Sequence, residues 1–191
     1  MENENESAKV PNAPSPIPGN LAYIIAKKSR FDTAFADFIW CIKARSKDIT
    51  RPNITGILIE PAKIVATDGH RLHIITNPYP SIPPGEYEVY GINQSKVILI
   101  AKPATTGDKS FPKWNRPSVA MEGFTPEHEI TVDHPAYFYI EILKHRICDI
   151  KILEGAISNE PMNVQIYGEM QPVIITTLTR TAIVMPLKDR K

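Results

Sequence analysis

The chain has 191 residues, of which 42% are hydrophobic and 23% charged, enough to bury a real core and too apolar for wholesale disorder. Its formal net charge of +1 gives no overall pull toward nucleic acid, so a nucleic-acid partner would require basic groups concentrated on one surface. The 18 prolines, about twice the usual ~5% share, argue for many short elements with defined breaks and against long helices.

Residues 1 to about 19 are polar and then proline-rich, with Pro11, Pro14, Pro16 and Pro18. They read as an extended tail ahead of a domain running from about 20 to 191, a solvated leader being the simpler reading and a partner-binding segment the other. The acidic start Met1-Glu-Asn-Glu-Asn-Glu6 lacks the basic region of a secretion signal, and no apolar run approaches the ~20 residues of a membrane span. A cytoplasmic protein is expected.

Leu21-Ala-Tyr-Ile-Ile25 is the first expected strand. A helix follows from about Phe31 to Ser46, because Phe31, Phe35, Phe38, Ile39 and Ile42 recur at spacings that share one face. Ser29 or Arg30 is expected near its start and Asp32 in its first turn, while the opposite face carries Ala36, Trp40, Lys43 and Lys47. Lys43 and Lys47 are either an ordinary solvated face or part of a DNA-facing one.

Thr55-Gly-Ile-Leu-Ile-Glu60 is a strand, and Ile64-Val-Ala-Thr-Asp-Gly-His-Arg-Leu-His-Ile-Ile75 reads as two strands joined at Asp68-Gly69, a pair that accepts the positive φ angles of a tight hairpin turn. Turn formers from Pro78 to Pro84 precede a second hairpin, Gly85-Glu-Tyr-Glu-Val-Tyr90 with Lys96-Val-Ile-Leu-Ile100. Phe111-Pro-Lys-Trp-Asn-Arg116 reads as an aromatic anchor that pins a loop to the core.

Ile130-Thr-Val132 is a strand, and His134 to His145 a second helix with Pro135 at its first position and Phe138, Tyr139, Ile142 and Leu143 on its apolar face. Its other face presents Tyr137, Glu141 and Lys144. Ile150-Lys-Ile-Leu153, Asn163 to Tyr167, Val173 to Thr177 and Thr181 to Leu187 are expected as further strands. Cys41 and Cys148, far apart and without metal-ligand spacing, are expected as small core residues on helices.

His70, His73, Asp68 and His134 invite the thought of acid–base or metal chemistry. Asp68 and His70 only flank the turn glycine, however, and His73 should point to the face opposite Leu72, so the spacing implies no convergent site. Nor is there a phosphate-binding glycine loop, a Ser or Cys nucleophile motif or a pair of carboxylates. Catalysis is not expected.

Ala66-Thr-Asp-Gly-His-Arg-Leu72 resembles the signature hairpin of bacterial DNA polymerase sliding clamps, the DNA polymerase III beta subunit family. Arg51-Pro-Asn-Ile-Thr-Gly-Ile-Leu-Ile-Glu60 is similar to the segment that precedes it there, and Ile183-Val-Met-Pro-Leu187 to the clamp C-terminus, with Leu187 where the family has methionine. Phe111-Pro-Lys-Trp-Asn-Arg116 resembles the pattern that closes a clamp domain, but Lys113 replaces an acidic residue and Pro117-Ser-Val119 departs from the ending.

This resemblance implies an α+β DNA-clamp fold, two helices packed on antiparallel sheets in a pseudo-twofold repeat, with an inserted hairpin and loop region at about 78–128. It implies a non-enzymatic DNA replication accessory that takes no cofactor and docks the clamp-binding peptides of polymerases or other replication proteins. The family's peptide pocket carries over to Thr67, Gly69, His70, Arg71 and Leu72 on one wall and Val184, Met185, Pro186 and Leu187 on the other, with Arg71 and the backbone at Gly69 fixing a peptide's polar atoms. Double-stranded DNA would be tracked without sequence specificity, the available cations being Lys43, Lys47, Lys144 and Arg146. A family subunit strings three domains together and its ring needs six, so a chain with length for one would form a hexamer as a homo-oligomer, join another clamp or abandon the ring. The alternative is a phage- or plasmid-type regulatory adaptor or decoy that uses the pocket without encircling DNA.

Overall fold

The computed structural model describes residues 21–103, 110–115, 124–133, 150–157, 160–168 and 171–186. The first strand, β1 (Ala22–Ala26), leads into helix α1 (Thr33–Ile42) and then into β2 (Ile57–Ile59), β3 (Lys63–Thr67) and β4 (Arg71–Thr76). A hairpin of β5 (Gly85–Ile92) and β6 (Lys96–Ala101) follows, then β7 (His128–Val132), helix α2 (Ile150–Ala156), β8 (Met162–Ile166), β9 (Val173–Thr176) and β10 (Arg180–Val184). The ten strands among the described residues join one antiparallel sheet in the order β1-β6-β5-β2-β3-β4-β10-β9-β8-β7.

The centre of that order is the seam between β4 and β10. On one side lie β4, β3 and β2, with β1 beyond the β5–β6 hairpin; on the other lie β10, β9, β8 and β7. Among the described residues each half contains a strand, a helix and three further strands, in keeping with the expected twofold repeat of a helix-plus-sheet unit. The hairpin is what distinguishes the halves: it is built into the sheet between β1 and β2, whereas β7 pairs directly with β8.

Alternation along the strands makes two apolar faces. The inner face carries Ile57, Ile59, Ile64, Ile75, Val164 and Val184, and both helices pack on it through Phe35, Phe38 and Ile42 of α1 and Leu153 and Ala156 of α2. The outer face at the seam carries a smaller cluster of Val65, Leu72, Ile74, Phe111 and Ile183, with Leu58, Trp114 and Ile174 at its margin.

Several local expectations are corrected. Asp32 is the N-cap of α1 rather than a first-turn residue: its Oδ1 accepts from the Phe35 amide at 3.0 Å and its Oδ2 from that of Lys28 at 2.8 Å. Phe31 therefore precedes the helix and stands 76% exposed. The helix stops at Ile42, with Lys43 as its C-cap. Trp40, placed by periodicity on the solvent side, is buried against His73, their rings stacked at 4.0 Å and 13°. Ile150-Lys-Ile-Leu153, expected as a strand, is the first part of α2; four apolar-rich residues cannot fix a period, and packing of Leu153 and Ala156 against the inner face decides for the helix. The helix expected at 134–145, and Cys148, lie outside the described residues. Cys41 sits on α1, fully buried, and burial pushes its thiol far above the usual range.

Gly56 is held where no side chain fits, because a Cβ there would strike the backbone carbonyl of Tyr87 on β5. Gly56→Ala is expected to cost about 2–4 kcal/mol by forcing the neighbouring strand away, with denaturant midpoints as the measurement.

Candidate functional site

The turn between β3 and β4 is fastened by its own side chains. Asp68 Oδ1 accepts from the amides of His70 at 2.9 Å and Arg71 at 3.0 Å, and Thr67 Oγ1 accepts from Gly69 N–H at 3.0 Å while donating to the Arg71 carbonyl at 2.6 Å. Asp68 N–H faces the Arg71 carbonyl, so the two central residues are Gly69 and His70, one step beyond the Asp-Gly pair expected from sequence. Gly69 supplies the positive φ, +92°, that the turn needs.

The chain's last described residues run alongside this turn. β10 pairs with β4 so that Ile183 lies opposite Leu72 and Val184 opposite Arg71, and Met185 N–H continues the ladder by donating to the His70 carbonyl at 2.9 Å. Between the two segments opens a cleft of about 250 Å3. Thr67, Gly69, His70, Arg71 and Leu72 form one wall, and Ile183 and Met185 the other.

Val184 does not belong to this wall. Strand alternation turns its side chain to the inner face, where it is fully buried, and brings Ile183 to the cleft in its place. Pro186 is not among the lining residues, and Leu187 lies outside the described ones.

Two further segments complete the cleft, and sequence reasoning assigned neither to it. Pro112, Lys113 and Trp114 form a third side. Their segment is pinned to the outer face: Phe111 is buried and its amide donates to Glu86 Oε1 at 2.7 Å, while the Trp114 indole donates to Glu60 Oε1 at 3.0 Å and its ring carries the Lys63 ammonium at 5.0 Å. The expected aromatic anchor is therefore also a wall. Arg51, Asn53 and Ile54 form the fourth side; the similarity of Arg51–Glu60 to the clamp segment was the signal that could have found them.

The two arginines have different tasks. Arg71 is largely sequestered: its Nε donates to Asp68 Oδ2 at 3.1 Å and its Nη2 to the carbonyl of Lys43 at 3.1 Å, at the C-terminal end of α1 where a cation is favoured. Its guanidinium also lies against Gly155 of α2, where a Cβ would collide with Nη1. The exposed guanidinium at the lip is that of Arg51, whose Nη1 donates to the Asp68 carbonyl at 3.1 Å.

The histidines do not converge. His70 is exposed at the cleft, whereas His73 is fully buried on the inner face, its Nδ1 3.2 Å from the Trp40 carbonyl, which only a donor N–H satisfies. Burial lowers the His73 pKa to about 4, the Trp40 contact opposing this only in part, so the ring is neutral. His134 lies outside the described residues, and among the described residues no group of His, Cys, Asp or Glu could hold a metal ion.

Of the cations considered for DNA, Lys43 and Lys47 are exposed near the end of α1; Lys144 and Arg146 lie outside the described residues.

No protein-family model matches the sequence, and neither does any curated protein. Solved structures do match. The DNA polymerase sliding clamp of Bacillus subtilis superposes with a TM-score of 0.52 at 14% identity over 96% of this chain and 67% of that one. The C. crescentus beta sliding clamp gives 0.55 at 11% identity over 89% and 65%, and the DNA polymerase III subunit beta of Pseudomonas aeruginosa 0.50 at 14% over 98% and 70%. The chain has the fold of the bacterial sliding clamps. It spans about two-thirds of the length of those clamps, and in this clamp fold the turn and the terminal strand share one sheet.

Two outcomes follow from the geometry. Gly155→Ala should push the Arg71 guanidinium off Asp68 and the end of α1, lowering stability by about 1–3 kcal/mol in denaturant titrations, while Gly155→Ala combined with Arg71→Ala should lose less than the sum of the singles. His73, with a pKa near 4 folded against 6.5 for the free side chain, binds its proton more readily when unfolded. Its contribution is thus complete above about pH 6.5 and is lost as pH falls toward 4, up to roughly 3 kcal/mol, so melting temperature should drop through that window and drop less in His73→Phe.

Proposed function

We propose that the protein is a sliding-clamp-like accessory of DNA replication that docks the clamp-binding peptides of polymerases or other replication proteins in the cleft beside the Gly69–His70 turn. It works by binding rather than by catalysis, in the cytoplasm. The observation that carries this reading is the bond from Met185 N–H to the His70 carbonyl, which sets the two segments resembling the clamp pocket on either side of one cleft.

The chemistry of the cleft suits an extended peptide. Leu72, Ile183 and Trp114 offer an apolar floor, and Met185, 40% exposed, adds an adaptable thioether at the edge. Gly69 leaves room for the Arg51 guanidinium, which lies over the turn where a Cβ would stand, so the turn itself seats the cation at the lip of the cleft. Arg51 supplies an outward-facing donor, while Arg71, held by Asp68 and the end of α1, keeps the turn in shape for it.

The second reading, an adaptor or decoy that uses the cleft without encircling DNA, is favoured by one feature: both walls belong to one chain and one sheet, so docking needs no second copy. Non-specific contact with double-stranded DNA through Lys43, Lys47, Lys144 and Arg146 belongs to the ring reading alone. Sedimentation at several concentrations separates the two, since a stable monomer cannot close around a duplex.

Titration with a fluorescein-labelled clamp-binding peptide should give saturable binding. Arg51→Ala and Met185→Ala should each weaken it about tenfold without lowering stability appreciably, whereas Arg71→Ala should weaken it and also destabilise the fold. Absence of saturable binding, or indifference to both Arg51 and Met185, rejects the docking role.

A further inference from the structure

A second hollow, about 490 Å3, adjoins the cleft on the side of α1. Arg51, His70 and Arg71 line both, so the two are continuous across the turn. Beyond those three, the hollow is bordered by Lys43, Arg45 and Lys47 from the segment that follows α1. Five cationic side chains thus meet two carboxylates, on a protein whose net charge is only +1.

Those two carboxylates are committed locally. Asp68 holds the turn and Arg71, and Asp48 Oδ1 accepts from both the amide and the hydroxyl of Thr50, at 2.9 and 2.7 Å, which holds its pKa below the ordinary value. The cleft itself adds Lys113 on its far wall and has no carboxylate among its lining residues. From Lys113 through Arg51 to Lys43 and Lys47 runs a line of cations, apolar beneath in the cleft and polar throughout in the hollow.

We propose that this basic shelf selects docking peptides by an acidic flank: an extended ligand places its apolar residues in the cleft and its Asp or Glu residues over Lys43, Lys47 and Arg51. The inference rests on the docking reading and deepens it by naming the chemistry of the partner. A carboxylate-bearing flank is favoured over a nucleic-acid backbone because the cations are continuous with a peptide-sized apolar cleft through three shared side chains. The attraction is between exposed charges, so it sets partner choice and association rate more than total affinity, and salt screens it.

The test compares three fluorescein-labelled peptides on the full chain at 50 mM and 500 mM NaCl: a clamp-binding peptide alone, and the same peptide with four glutamates added at one end or the other. One of the two extended peptides should bind about tenfold tighter than the unextended one at low salt, and the advantage should fall to about twofold or less at high salt. In Lys43→Glu/Lys47→Glu the ratio of extended to unextended affinity should drop to about one, with the melting curve checking that the variant is folded. Equal affinities for all three peptides overturn the acidic flank while leaving docking intact. Failure of the unextended peptide to bind overturns both. Displacement of the extended peptide, but not the unextended one, by a 20-base-pair duplex assigns the shelf to nucleic acid and overturns the proposal as well.

Discussion

The antiparallel pairing of β4 with β10 is the constraint on which the rest of the structure depends. It joins residues 71–75 to residues 180–184, more than a hundred positions apart, and turns two half-units into one continuous sheet. The closure entropy of so long a loop grows only slowly with length, but it must be met by contacts that form together. They do: the ladder itself, the Met185–His70 bond that prolongs it, and the Arg180–Asp37 pair at 2.7 Å, which ties the start of β10 to α1. The Arg180 guanidinium also lies 5.3 Å from the Trp40 ring, so the strand is held at the very helix whose packing buries His73.

Because the period of a strand is two, the seam dictates where every neighbouring side chain goes. Leu72 and Ile74 face outward with Ile183; His73 faces inward toward Trp40, and Val184 toward the main core. A slip of β10 by one residue would turn Ala182 and Val184 to the outer face and bring Thr181, Ile183 and Met185 inward, placing a threonine hydroxyl in the main core and emptying the cleft wall. The inner-face placement of Val184, among residues fully withdrawn from water, therefore fixes the cleft from behind: burying it is worth about 1.5–3 kcal/mol and cannot occur unless Met185 faces out.

Much of this was legible in the chain. Both hairpins, the strand sequence and the neighbourhood of the Thr67–Leu72 turn with Met185 followed from alternation, turn residues and the resemblance of three short segments to clamp sequences. What was not legible depended on partners distant in sequence. Ile150-Lys-Ile-Leu153 has the β-branched look of a strand, and only its seat on the inner face makes it helical. Trp40 fell on the polar side of the helical wheel because nothing local announces that Arg180 and His73 enclose it. Sequence resemblance makes Arg71 a peptide-binding cation, whereas its guanidinium is bonded to Asp68 and the end of α1 and lies against Gly155 of α2, partners far apart in the chain. Asp32 stands at the N-cap, before the first turn that the sequence alone suggests for it, because helix starts are set by which side chain reaches the free amides.

The cleft is built to exist before any ligand arrives. Its turn is closed by side chain-to-backbone bonds from Thr67 and Asp68, its far wall is fixed by Phe111, Trp114 and their carboxylate partners, and its floor is strand. A ligand entering it would pay for its own ordering but little for the protein's, which is the condition under which a short peptide can bind usefully. The same arrangement would couple the proposed docking to the fold. A peptide lying between the turn and Met185 contacts both sides of the β4–β10 seam, so it would bind the paired state and not the separated one, and occupancy would add RT ln(1 + [L]/Kd) to the stability of the seam. A protein organised around one long-range strand pairing thereby carries its proposed docking cleft at the place where a bound partner would reinforce that pairing most directly.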